Sequence, residues 1–203
     1  MKTLIAIPAM SWVYTEFMQC MLALDKPDAQ LMIQHNSLIY DARNNLAWAA
    51  IQNDFDRVLW LDSDMSFEPD LLTRLNADMD DNGLEYVSAF YTGRSENAKP
   101  CIYKTVQWEQ RNGQVYTGAE PVSLYPFGLF VVHGTGFGAV LMKTRLLKAV
   151  CDAFGPPFQP LPFLGEDLSF CWRVSRLGAS MHCDSRIQAG HIGTHIYKED
   201  DHV

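Results

Sequence analysis

Between Thr3 and Tyr91 the chain alternates short apolar runs with segments of helical spacing, and few folds accept that alternation. "TLIAIPA", "QLMIQHN", "RVLWL" and "EYVSAFY" read as strands. Between them, "WVYTEFMQCMLAL" and "DARNNLAWAAIQN" repeat apolar residues at helical intervals, with Asp41 expected as the second helix's N-cap. A third helix is predicted from Pro69, with Leu71, Leu72, Leu75 and Met79 on one face and Gly83 at its end. Strands joined by helices of this length build a mostly parallel sheet with helices on its faces. Such sheets bind ligands beyond the carboxyl ends of their strands.

"RVLWLDSDMSF" stops its apolar run at one such end, in Asp62-Ser63-Asp64. On an extended backbone, residues two apart share a side, so both carboxylates are expected to face one volume. A cation, a hydrogen-bonding ligand or full exposure to water would relieve their repulsion. Asp-Ser-Asp is also ordinary turn chemistry. An EF-hand loop is excluded, because the sixth and twelfth positions counted from Asp62 are Phe67 and Thr73 instead of glycine and glutamate.

After Gly93 the pattern changes. "CIYKTVQWEQRNGQVYTG" predicts a hairpin turning at Asn112-Gly113, outside the parallel core. "LFVVHGTGFGAVLMK" is strand-like, "TRLLKAVCDAF" helical, and "GPPFQPLPF" a proline-rich loop. "GEDLSFCWRVSRLG" is a helix opening on Glu166 and Asp167, and "ASMHCDS" is a last strand before the glycine-flanked His191. "GTGFGA" is a poor dinucleotide fingerprint, since strand-like "VLMK" follows where a helix is required. It suits a tight turn that lets a sugar or acceptor approach the backbone. His191 and His195 have the spacing of a helical zinc pair, but Gly190 and Gly193 oppose a helix there, so one ligating histidine fits better than two. Arg43 and Arg94 could meet phosphate oxygens or pair with neighbouring acids.

The 203 residues, 48% hydrophobic, suffice for one substantial core, and a single domain, 1–203, is expected. A net charge of -8 opposes broad nucleic-acid binding through a basic surface. Five scattered cysteines with no C-x-x-C pair suggest neither a disulfide framework nor a four-cysteine zinc site, which fits a reducing, cytoplasmic setting. The first apolar run reads as a strand and not a signal peptide, and no stretch is long enough for a membrane span.

Taken in order, "WLDSDMSFEPDLLTRL", "GTGFGAVLMKTRLL", "GEDLSFCWRVSRLG" and "AGHIG" resemble the family 2 glycosyltransferases of the GT-A fold, above all the compact versions of bacteria and their phages. The resemblance runs from Leu4 to about Ile196. It implies a nucleotide-binding half, 1–92, and an acceptor and catalytic half, 93–203. It implies a manganese or magnesium ion on the diphosphate of a UDP- or GDP-sugar, held mainly by Asp64 with His191 as a further ligand, while Asp62 meets ribose or metal. Pro8 and Ala9 correspond to the edge of the base pocket, and Arg43 and Arg94 lie near the nucleotide and diphosphate. Asp167 corresponds to the general base of an inverting transfer, supported by Glu166. The acceptor is left open among a glycan, a protein and a modified DNA base. Two other readings stay in view: a sugar-1-phosphate nucleotidyltransferase, although "PAMSWVYTEF" lacks the glycine-rich basic loop, and a non-catalytic nucleotide-sugar-binding module.

Overall fold

A computed structural model describes residues 1–94 and 98–193. In chain order the first half contains β1 (Thr3–Pro8), α1 (Thr15–Ala23), β2 (Ala29–Gln34), α2 (Ile39–Gln52), β3 (Arg57–Leu61), β4 (Met65–Phe67), α3 (Leu71–Asp81) and β5 (Tyr86–Phe90). The second half contains β6 (Ile102–Arg111), β7 (Gln114–Pro121), β8 (Leu129–Val132), β9 (Gly134–Thr135), β10 (Ala139–Lys143), α4 (Thr144–Phe154), α5 (Glu166–Arg176) and β11 (Met181–His191).

The main sheet is ordered β2-β1-β3-β10-β5-β11-β4, with β8 also against β11. Strands β2, β1, β3, β5 and β11 run one way, while β10 is antiparallel to both β3 and β5. The architecture is thus the expected α/β one, a mostly parallel sheet between helices, with a small antiparallel sheet, β7-β6-β9, beside it. Asn112 and Gly113 both take positive φ, 52° and 77°, as a two-residue hairpin turn between β6 and β7 requires.

Successive residues of a strand face opposite sides, so β3 sends Val58 and Trp60 into one core and Leu59 and Leu61 into the other. The first core is aromatic. Phe158 and Phe170 stack with centroids 4.8 Å apart, and Trp60 meets Phe158 edge-on at 4.9 Å. Phe137 joins them and carries this core up to the carboxyl ends of the strands. The second core seats Phe17 and Met21 of α1 and Leu71, Leu72, Leu75 and Met79 of α3. Each such side chain contributes about 1.5–3 kcal/mol by leaving water.

Several boundaries differ from the sequence-based expectation. Helix α2 begins at Ile39 with Leu38 as N-cap, so Asp41 is not the cap. It sits in the first turn, where its charge still complements the helix dipole. Pro69 precedes the N-cap Asp70 instead of opening α3. The strand-like stretch 129–143 divides into β8, β9 and β10, which join three different partners. The last strand does not stop near Ser185: a register shift between Asp184 and Gln188 lets β11 continue and pair with β4 as far as His191.

Candidate functional site

A cavity of about 350 Å³ opens at the carboxyl ends of β1, β3 and β5. All nine residues expected at a site line it: Pro8, Ala9, Arg43, Asp62, Asp64, Arg94, Glu166, Asp167 and His191. They arrive by different routes. Pro8 ends β1, Arg43 rises from the second turn of α2, Glu166 and Asp167 open α5, and His191 ends β11. Asp62 and Asp64 do not share an extended strand. The Met65 amide donates to the Asp62 carbonyl at 3.2 Å, closing a tight turn between β3 and β4, and this turn brings both acids to one cavity.

The two acids have different partners. Arg43, only 3% exposed, donates to Asp62 Oδ1 at 2.9 Å and lies 3.6 Å from Glu166 Oε1. Its guanidinium also sits 5.1 Å from the Phe137 ring centre. Burial nevertheless pushes the Asp62 carboxyl up to about 6, Arg43 opposing and the Asp64, Asp167 and Glu166 charges adding to the rise. Asp64 pairs with the half-exposed Arg94. Burial would raise its carboxyl, but the His191 imidazole and the Arg94 guanidinium hold it below the ordinary value. Asp64 Oδ1 is buried without a hydrogen-bond partner.

His191 is oriented by the backbone. Its Nδ1 lies 3.2 Å from the Thr92 carbonyl, which only accepts, so Nδ1 carries the proton. Nε2 then faces Asp64 Oδ2 at 3.7 Å, where a cation between the two would find its lone pair. That is the tautomer of a metal-binding imidazole held from behind. The Ile192 amide donates to the Asp64 carbonyl at 2.7 Å and fixes β11 against the acidic turn.

Among the described residues, no three His, Cys, Asp or Glu side chains converge into a metal-binding group. Asp64 and His191 converge, whereas Asp62 is engaged by Arg43. The pair still suits a hard divalent cation completed by phosphate and water oxygens: a buried unpartnered carboxylate oxygen, a free imidazole lone pair, and four acids of the cavity against two arginines. His195 lies outside the described residues.

At the far wall Asp167 Oδ1 accepts from the Leu168 amide at 2.8 Å. Burial raises the Asp167 carboxyl, Glu166 adds to the rise, and Arg43 opposes it. Phe137, Cys101 and Tyr103, which the sequence patterns did not single out, also line the cavity, as does Tyr91. Tyr91 is buried and accepts from the Gly138 amide at 3.0 Å. The glycines of "GTGFGA" have a corresponding internal role. A Cβ on Gly136 would stand 2.1 Å from Tyr91 Oη, and one on Gly138 would stand 2.8 Å from Tyr91 Cζ and 2.9 Å from Met65. Their close approach is to these side chains, although Gly136 also borders the cavity.

The chain matches no protein-family model and no curated protein in sequence. It does resemble solved structures. A197 from STIV superposes with a TM-score of 0.67 at 19% identity, over 100% of this chain and 96% of that one. GalNAc-T7, solved with UDP, GalNAc and Mn2+, gives 0.62 at 9% identity, over 95% of this chain and 43% of that one. At these identities the likeness establishes the fold, a GT-A-like one.

Proposed function

We propose that this protein is a metal-dependent glycosyltransferase of the family 2 type, transferring a sugar from a UDP- or GDP-sugar to an acceptor hydroxyl with inversion, as one GT-A unit. The observation that carries the reading is the opening of Asp64, His191 and Asp167 onto one cavity at the strand ends. Its fold is that of an enzyme solved with a nucleotide, a sugar and manganese.

Asp64 and His191 would hold manganese or magnesium, the imidazole favouring manganese. When bound, the ion neutralises the charge that develops on the departing nucleoside diphosphate. Arg94 pairs with Asp64 in the unliganded protein and, being half-exposed, can turn to phosphate oxygens. Asp62, held by Arg43, is positioned for the ribose or the ion. The base pocket is edged by Pro8 and Ala9. The Ala9 amide already donates to the Gln34 carbonyl at 2.8 Å, so this edge offers the base apolar contact and carbonyl oxygens.

Asp167 takes the proton of the acceptor hydroxyl as the new bond forms. A carboxyl raised by burial is a better base than a solvated one. Glu166, near Arg43, keeps the start of α5 in register with the donor side. Calorimetry with UDP and GDP tests the assignment: binding is expected with manganese and lost with chelator. Metal-independent binding, or none, would remove it.

A further inference from the structure

Beside the catalytic cavity a second and larger hollow, about 600 Å³, lies between the β6–β7 hairpin and α5. Its rings are held in place. Trp108 donates through Nε1 to the Pro162 carbonyl at 3.2 Å and meets Trp172 edge-on at 5.5 Å. The Arg176 guanidinium lies 5.8 Å from the Trp172 ring. Gln110, two residues beyond Trp108 along β6, and Thr117, paired with Trp108, share the Trp108 face of the hairpin and border the same hollow, whereas Tyr116, paired with Glu109, belongs to the opposite face.

Two elements run from the catalytic cavity to the hollow. Strand β6 presents Tyr103 to the cavity and Trp108 to the hollow, five residues or roughly 17 Å further along. Helix α5, packed on β6, presents Asp167 to the cavity and Trp172 to the hollow, about 7.5 Å further in axial rise. Phe163 stands beside this route, next to the proline that anchors Trp108 and three residues before Glu166. It is 84% exposed and its φ is 64°, a conformation that costs a non-glycine residue stability. Neither burial nor turn geometry accounts for an aromatic residue there.

Rigid, partly exposed indole faces bordered by the Gln110 amide, the Thr117 and Ser175 hydroxyls and the Arg176 guanidinium match the two-sided chemistry of a sugar, whose C–H faces stack on aromatic rings while its hydroxyls hydrogen-bond at the edges. A lipid would find too many polar groups in this hollow. We infer that the groove of Trp108 and Trp172 binds a carbohydrate chain and, with Phe163, leads its end to Asp167, so that the acceptor is an oligosaccharide. The inference names the acceptor class within the transferase reading and rests on that reading.

The test separates the two. The indole N–H resonances of the five tryptophans are followed while malto-, cello-, manno- and chitotetraose are added, and UDP and GDP binding with manganese is measured independently. At least one tetrasaccharide is expected to shift Trp108 and Trp172 while the buried Trp60 stays unmoved. Gln110→Ala and Thr117→Ala, both on the Trp108 face of the hairpin, should each weaken that binding by about fivefold, the scale of one lost hydrogen bond. In transfer assays they should raise KM for the tetrasaccharide and leave the monosaccharide unchanged. Nucleotide binding without any tetrasaccharide shift overturns the groove and leaves the transferase standing. A tetrasaccharide that moves Trp108 and Trp172 without metal-dependent nucleotide binding upholds the groove and removes the transferase. Equal loss of mono- and tetrasaccharide transfer in Gln110→Ala also overturns the groove.

Discussion

Single side chains decide the chemistry, and the sequence displayed some of them better than others. Asp62 and Asp64 were visible because two acids ending an apolar strand have few structural uses, yet a turn rather than an extended strand brings them together. The burial of Arg43 against Asp62 was not visible, because helical spacing does not say which polar residue lies beneath a sheet's end. Asp64→Ala and His191→Ala are each expected to weaken manganese and nucleotide binding together and to abolish or nearly abolish transfer, as calorimetry and product assays would report. Arg94→Ala should weaken nucleotide binding while sparing manganese. Equal loss of manganese in all three variants would mean that the ion is not held by Asp64 and His191. Asp167→Asn keeps the shape of the proposed base but not its proton affinity, so on the transferase reading turnover should fall by about two to four orders of magnitude with donor binding intact. Because burial raises the Asp167 carboxyl, the acid limb of kcat should fall above the ordinary carboxylate range, with activity lost as pH drops through it. A limb at or below pH 4 would show that a solvated group is titrating instead.

Among the elements, those with a clean period were legible and the segment 129–143 was not. Its apolar residues give one strand-like signal, but its three short strands pair with different partners in two sheets, and the glycines at 134, 136 and 138 are needed for close approach to Val106, Tyr91 and Met65. The end of β11 was equally hidden, since only pairing with β4 extends it to His191. The glycine segment can be tested as a packed unit. Gly136→Ala sets a methyl 2.1 Å from Tyr91 Oη, and Gly138→Ala sets one against Tyr91 Cζ and Met65. Each should destabilise by about 1–3 kcal/mol in denaturant titrations, the usual scale of overpacking. Tyr91→Phe alone loses its hydrogen bond from the Gly138 amide and should cost about 1 kcal/mol. Combined with Gly136→Ala it removes the atom in closest conflict, so the double variant should be more stable than the sum of the singles implies. No such recovery is expected with Gly138→Ala, whose conflict is with ring carbon and methionine. Strict additivity in the first pair would show that the loop moves aside instead of pressing on Tyr91.

At the scale of the whole molecule, fold and sequence diverge: A197 from STIV shares nearly the full length of this chain at 19% identity. What the two share at that distance is a pattern of strands and faces, and that pattern was the legible part of the sequence. Global stability, by contrast, depends on long-range charge placement that no local pattern displays. Arg186 on β11 bonds Asp184 and reaches Asp78 of α3 at 3.4 Å, and Arg74 of the same helix donates to the Arg186 carbonyl. Burial, followed by the adjoining Asp184, pushes the Asp78 carboxyl up to about 6, with Arg186 and Arg74 opposing. Asp184 moves the other way. Burial works against its charge, but the bonds from Arg186 hold it below its ordinary value. The folded protein therefore takes a proton at Asp78 near pH 6, which the unfolded chain takes only near 4. Stability gains from this group as pH falls from about 6 to 4 and loses as pH rises through that window, whereas the Asp184 contribution is present above about 4 and fades only below it. Asp78→Asn removes the rising-pH penalty. Full linkage would give roughly 3 kcal/mol, but solvent screening near this surface cuts that to about 1 kcal/mol. The variant should thus be about 1 kcal/mol more stable than the parent at pH 7 and equal to it near pH 4. Asp62 produces a slope of the same sign through its own raised carboxyl, so the comparison is made with Asp62 intact in both proteins. A constant offset between parent and variant from pH 4 to 7 would assign the change to packing on α3 and not to the proton.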